Sequence, residues 1–279
     1  MRAVTVLAFA TTVYAQFGIA PTDLKDVTEK YDIVYQVHGS QELRLDLYLP
    51  KVGKSPVPAI VFIHGGTEHI KAAFSPQARY MASRGFASVC IEYTMPSEGR
   101  ASVAIDDSIS AVRWVRDHAA EYNIDARRIG VAGGSLGGYA AASLGVMPQR
   151  TVKAVAAFNP SVDIVRLATE SAQSSALQNL WAMYFGVSYS ENPKFWADSS
   201  PINRVTKDSA PFLFLHGDAD PVVPYSGSVD MAERLRAVGV PGELFTAPGA
   251  KHGFFNNPPW LEPTTKRMEE FFTTYLREP

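Results

Sequence analysis

Hydrophobic positions along this chain change their period after residue 50. Leu43, Leu45, Leu47 and Leu49 alternate with Arg44, Asp46 and Tyr48, and a period of two is the pattern of a half-buried strand. With the extended segment 31–37 before it and the Gly39-Ser40 turn between them, the pattern predicts an antiparallel hairpin with one wet face. Beyond residue 50 the apolar residues come instead in short continuous runs: 59–63, 87–91, 129–132, 152–158, 212–215 and 243–246. Such runs predict strands covered on both faces. Helical segments lie between them. Ser75-Pro76 supplies a cap followed by proline at the first helical position, with Gly85 just beyond the last turn. Ile105, Ile109, Val112, Val115 and Ala119 are three or four apart, so they form one apolar stripe on a helix running to about residue 122. The small-residue stretch 139–144, the segment 226–238 closed by Gly239, and the segment 263–276 supply three more.

Strand alternating with helix predicts an α/β architecture. The sheet should be mainly parallel and twisted, with right-handed crossovers and helices on both faces, and the opening hairpin should form its antiparallel edge. Segment 161–207 breaks the alternation. It is rich in Ser and Asn and studded with Trp181, Tyr184, Phe185, Tyr189, Phe195 and Trp196. A stretch of that length is either functional or carries small helices of its own, and it reads as a cap-like insertion over the carboxyl edge of the sheet. No repeat or linker divides the rest, so residues 28–279 read as one domain.

Composition narrows the chemistry. Of 279 residues, 46% are hydrophobic and 19% charged, which suits a globular protein with a sizeable core and excludes disorder. The net charge of −2 gives no long-range field that would favour nucleic acid or anionic lipid. The one cysteine, Cys90, falls inside an apolar run, where a buried structural thiol is expected. No intrachain disulfide is possible, and no zinc pattern or phosphate-cradling loop occurs, so neither metal nor cofactor is expected and the chemistry must come from side chains. At the start, Arg2, the apolar stretch 3–13 and Val13-Tyr14-Ala15 have the form of a short secretory signal cut before Gln16, so a secreted or periplasmic location is expected. That stretch is too short to span a bilayer as a helix.

The motif that carries chemistry is Gly133-Gly134-Ser135-Leu136-Gly137-Gly138, between the run 129–132 and the helix at 139–144. A serine on a sharp strand-to-helix turn exposes its hydroxyl at a helix N-terminus, and flanking glycines let neighbouring elements close in. The hydroxyl needs a base during attack, and histidine suits that role because its unperturbed pKa is about 6.5. Among six histidines, His252 follows the last strand, which sets it on a loop at the same edge as Ser135. His118 falls on a helix face, His38 in the opening turn, and His216 against a strand end where packing or backbone hydrogen bonding is expected. A carboxylate must then fix the tautomer of the base. Asp220, in His216-Gly217-Asp218-Ala219-Asp220-Pro221, fills that role, with Asp218 as its near competitor and Asp163 as a remoter one. Backbone N–H groups of Gly65, Gly66 and Leu136 are the candidates for holding an oxyanion, with His64 bracing the loop. Gly134 and the residues after Gly66, Thr67 and Glu68, are candidates for substrate contact, and Trp181, Tyr184 and Trp196 for a wall around an aromatic or acyl group.

Taken together, His64-Gly65-Gly66, the Gly133–Gly138 motif, His216-Gly217-Asp218-Ala219-Asp220-Pro221-Val222-Val223-Pro224 and His252-Gly253-Phe254 resemble a group of bacterial α/β-hydrolases. That group includes feruloyl-esterase-like and acetyl-xylan-esterase-like proteins and neighbours the hormone-sensitive-lipase family. The resemblance runs from about residue 31 to residue 276. It implies an α/β-hydrolase fold and a cofactor-free serine esterase acting through Ser135, Asp220 and His252 on small acyl, acetyl or hydroxycinnamoyl esters, some of them linked to plant polysaccharide. Two positions depart from the group's pattern: Thr67 stands where a third glycine is common, and Glu68 where an aromatic or small residue is. A serine peptidase similar to the catalytic domain of prolyl oligopeptidases, and a non-catalytic binding protein on the same scaffold, are the competing readings.

Overall fold

The computed structural model describes residues 26–51, 55–148, 151–171 and 173–277; the segment read as a secretory signal lies outside them. β1 (Val27–His38) and β2 (Gln41–Pro50) form the antiparallel hairpin. β3 (Val57–Ile63), β4 (Ala87–Ile91), β5 (Ile124–Gly134), β6 (Val155–Phe158), β7 (Phe212–Gly217) and β8 (Gly242–Ala247) follow as the parallel part of one sheet, in the order β1-β2-β4-β3-β5-β6-β7-β8.

The continuous apolar runs are explained by cover on both sides. Val61, Val131, Val155 and Phe214 point into one cluster, together with α2 (Ala101–Asp117), α3 (Leu136–Gly145) and α7 (Tyr225–Ala237). Their strand neighbours Ile60, Phe62, Ala132, Ala156 and Leu213 point into the other, with α1 (Ser75–Ser83) and α8 (Leu261–Arg277). Alternate residues of a strand face opposite sides, so a strand between two helical layers is apolar at almost every position, Ser88 of β4 and His216 of β7 being buried exceptions.

The hairpin corrects one expectation. Strand β2 does not keep a wet face, because Asp46 and Tyr48 are buried like Leu45 and Leu47 beside them. Lys71 pairs with Asp46, and the Arg79 guanidinium of α1 lies 5.2 Å over the Tyr48 ring. An ion pair and a cation–π contact thus let polar residues line a covered face.

Segment 161–207 folds into α4 (Ile164–Glu170), α5 (Ser174–Phe185), α6 (Pro193–Ser199) and a 3-10 turn, Pro201–Arg204. Its rings pack on one another and on the helix that follows Ser135: Trp181 lies 4.9 Å from Tyr139, Phe185 lies 5.2 Å from Trp181, and Trp196 lies 5.4 Å from Phe185. Burying such a ring contributes about 3 kcal/mol.

Candidate active site

The strand order locates a crevice. From β3 the chain goes out to β4 through α1 on one face, then returns through α2 on the other face to β5, on the opposite side of β3. Loops that leave the carboxyl ends of two such strands diverge, and the gap between them is where ligands settle in open parallel sheets. Gly65 follows β3 and Ser135 follows β5. They are so close that a Cβ on Gly65 would stand 2.7 Å from the Gly134 carbonyl and 3.1 Å from the Ser135 Cβ.

Ser135 itself has φ 53° and ψ −114°, a conformation that costs a non-glycine residue about 1–3 kcal/mol. Its N–H donates to the Phe158 carbonyl and its carbonyl accepts from Tyr139 N–H in the first turn of α3, so strand β6 and the helix jointly hold the strained residue. Glycine at 133 is required by space: a Cβ there would meet the Gly137 carbonyl oxygen at 2.3 Å.

His252 hangs from the loop between β8 and the 3-10 turn Phe254–Asn256. Its Nε2 lies 3.0 Å from the Ser135 hydroxyl and its Nδ1 2.7 Å from Asp220 Oδ2. The Asp220 side chain has no exposure. Its other oxygen accepts N–H from Val222 and Val223 at 2.8 and 3.0 Å. Burial alone would raise the pKa of this carboxyl, but hydrogen bonds from His216 and His252, the imidazole charge and the Val223 N–H outweigh burial and hold it well below the usual carboxylate range. An ionised Asp220 accepts at Oδ2, so Nδ1 of His252 carries the proton and Nε2 is left to accept from the hydroxyl.

The competing carboxylates have other partners. Asp218 accepts from Gly249 N–H at 2.6 Å and so ties the Asp220 loop to the His252 loop. Asp163 caps α4 through Arg166 N–H. The remaining histidines are also engaged elsewhere: His38 with Asp107, His69 with Glu98, and His118 with the Trp114 carbonyl. His64 is buried, which pushes its pKa down to about 4 although the Gly65 carbonyl beside Nδ1 favours the protonated ring. It is a neutral brace under the loop, whose backbone Tyr93 fixes by donating to the His64 carbonyl at 2.7 Å. Above it, Gly66 has φ +84°, and Leu136 is the first residue of α3, where no carbonyl of the helix itself can reach its N–H.

This arrangement has relatives. The BD-FAE family model matches residues 45–235. The chain belongs to the BD-FAE family of esterases. It is 30% identical over 217 residues to esterase LipC of Mycobacterium tuberculosis, a match covering 71% of this chain and 53% of LipC; the chain spans about half the length of the curated relatives it matches. Among solved structures, a truncated carbohydrate esterase from gut microbiota superposes with a TM-score of 0.76 at 28% identity, covering 90% of this chain and 97% of that one. Propionate-bound esterase Est2 of Thermogutta terrifontis gives 0.75 at 28% identity, with 92% and 97% covered.

In this BD-FAE protein the residues expected to wall a substrate lie elsewhere. Trp181, Tyr184 and Trp196 are at most 1% exposed and pack the insertion onto the body, so they correct the expectation of an acyl wall. Tyr184 lines, with Arg100, Tyr139, Phe185, Phe195 and Arg204, a cavity of about 550 Å³ between the insertion and α2, and none of Ser135, Asp220 and His252 borders it. Gly134 is also buried, beneath the Phe255 and Phe74 rings, which a Cβ there would meet at 2.9 and 3.3 Å. Thr67 and Glu68 are exposed, on the loop just beyond Gly66.

Sequence reading missed Asn159. It is buried, has φ 35°, and lies at the carboxyl end of β6 with Nδ2 3.4 Å from His252 Nε2 and Oδ1 3.4 Å from Gly253 N–H. The available signal was a polar residue directly after an apolar run, at the edge where Ser135 was already expected.

Proposed function

We propose that the protein hydrolyses carboxylic esters through an acyl-serine intermediate, with Ser135 as nucleophile, His252 as general base and then acid, and Asp220 as the group that holds and stabilises the imidazole. The observation that carries this reading is the continuous hydrogen-bonded line from Asp220 Oδ2 through His252 to the Ser135 hydroxyl, at 2.7 and 3.0 Å, on a strained turn at a helix N-terminus. In the first half-reaction the hydroxyl oxygen attacks the ester carbonyl while its proton passes to Nε2. The oxyanion that forms meets the backbone N–H groups of Gly65, Gly66 and Leu136, each worth about a hundredfold or more in rate. Collapse expels the alcohol, which takes the proton from Nε2. Water then repeats the sequence on the acyl-serine and releases the acid.

For substrate, we favour small acyl, acetyl or hydroxycinnamoyl esters carried on plant polysaccharide. Membership of the BD-FAE family and likeness to a carbohydrate esterase and to a propionate-bound esterase support this choice. It fits a chain that works outside the cell, as the first fifteen residues suggest. Acetyl, butyryl, octanoyl and feruloyl esters assayed on one preparation, beside a peptide anilide, test it: esters should turn over and the anilide should not. Ser135→Ala should abolish turnover of p-nitrophenyl acetate and labelling by a fluorophosphonate. Full residual activity in that variant would end the assignment, and an unlabelled, folded wild type would favour a binding protein.

A further inference from the structure

Asp220 is served by two imidazoles, of which only one reaches Ser135. The other, His216, is the penultimate residue of β7 and is wholly buried. Its Nε2 lies 3.3 Å from Asp220 Oδ2 and 3.2 Å from the Val223 carbonyl oxygen, and its Nδ1 lies 2.8 Å from the Ser228 hydroxyl in α7. A carbonyl oxygen and an ionised carboxylate can only accept, so Nε2 must carry a proton. In the neutral ring Nδ1 is then an acceptor, and Ser228 must donate to it. The opposite tautomer would set a lone pair against two acceptors and leave the Ser228 hydroxyl no better placed. Among the described residues the charged group paired with this ring is Asp220; Tyr225 of α7 contributes an edge-on ring at 5.6 Å whose hydroxyl is bonded to Thr246 of β8, and His252 lies beyond the carboxylate.

We propose that His216 is a positioning residue for the reaction, a second donor that holds the catalytic carboxylate in its orientation, with Ser228 locking the tautomer that allows it. The inference rests on the serine-esterase reading above. Asp220 receives N–H groups from Val222 and Val223 on one oxygen and from His252 on the other, and the His216 N–H, which donates to the Val223 carbonyl at 3.2 Å, is shared with that second oxygen at 3.3 Å. These N–H groups lie in the directions in which a carboxylate accepts, so it cannot turn without losing at least two of them. Oδ2 therefore stays aimed at His252 Nδ1 through both half-reactions, and that keeps the lone pair on Nε2 facing Ser135. His216 itself gains and loses no proton in the cycle. A charged His216 would neutralise Asp220 and weaken its support of the His252 imidazolium.

Two variants and one spectrum test this. His216→Phe keeps a planar ring and removes the donor; His216→Gln keeps an amide donor. With p-nitrophenyl acetate, His216→Phe should lower kcat about tenfold to a hundredfold with KM within about twofold. Its kcat profile should show the acid limb moved to higher pH, because a carboxylate with one donor fewer holds the His252 imidazolium more tightly. His216→Gln should recover most of kcat. In wild-type protein labelled with ¹⁵N-histidine, His216 should carry its proton on Nε2 with Nδ1 bare. A folded His216→Phe with wild-type kcat and pH profile overturns the proposal, as does a proton on Nδ1 alone or on both nitrogens. If His216→Phe does not fold, the spectrum and the kinetics of His216→Gln decide. A wild type that turns over no ester and takes no fluorophosphonate label refutes the esterase reading instead, whatever the tautomer.

Discussion

A Cβ on Gly137 would stand 2.2 Å from the carbonyl oxygens of both Ile63 and His64, and neither can retreat, because Ile63 is paired on both sides within the sheet and Tyr93 holds His64. Gly137→Ala should therefore destabilise the fold by about 3 kcal/mol or more, read from chemical denaturation. Gly249 has open space where a Cβ would go but φ +69°, so Gly249→Ala should cost only about 1 kcal/mol. Asp220→Asn should keep the shape of the site yet lower kcat about 10⁴-fold, because the amide favours the wrong tautomer of His252. The same variant carries a pH signature. The folded-state pKa of Asp220 is depressed below its unfolded value near about 4, so its ionisation stabilises the protein above that pH and the contribution is lost as pH falls through the folded value. The gap in Tm between wild type and Asp220→Asn should narrow from pH 7 to pH 3; a gap that widens on acidification contradicts the argument. Ser135 was legible in sequence because its turn is built from contiguous glycines. Asn159 and the side-chain bonds of His216 were not, because their partners are set by the direction of a side chain at a strand end, which no local pattern encodes.

At the scale of elements, helix and strand positions followed from periodicity to within about five residues, since a strand between two helical layers is almost wholly apolar. The insertion was harder. Trp181, Tyr184, Phe185 and Tyr189 fall at helical spacing, but rings that pack an insertion to a body have the same composition and period as rings that line a pocket. Burial separates the two: Trp181 is 1% exposed and contacts Tyr139, Tyr184 and Phe185. Trp181→Ala should cost about 3–5 kcal/mol in denaturation and leave the order of preference among acetyl, butyryl and octanoyl esters unchanged. A reordered preference would return this ring to the acyl site. The wet face expected of β2 failed for a related reason, because Lys71 and Arg79, which cover Asp46 and Tyr48, come from segments that lie beyond the hairpin in sequence.

For the molecule as a whole, β3, β5, β7 and β8 end at one rim of a single sheet, so loops spread along the chain from residue 65 to residue 252 deliver Gly65, Ser135, Asp220 and His252 to one crevice. The order of strand and helix along the chain implied a parallel sheet, and a parallel sheet puts every strand-to-helix loop on the same edge; that is why a site made of distant residues could be read before its distances were known. Charge behaves differently, since its effect depends on the sum. The chain carries 26 basic and 28 acidic residues, a net charge of −2. The side chain of Asp220, the charged member of the catalytic line, has no exposure and is met by N–H groups of Val222, Val223 and His252. A small neutral ester is therefore neither drawn in nor repelled over a distance comparable to the Debye length, about 10 Å at 0.1 M salt. For p-nitrophenyl acetate, kcat/KM should change less than about twofold between 50 and 500 mM NaCl. Because this substrate carries no charge, a steep salt dependence would mean that salt acts on the protein itself, through the ion pairs that hold the loops of the crevice, and not on the approach of the ester.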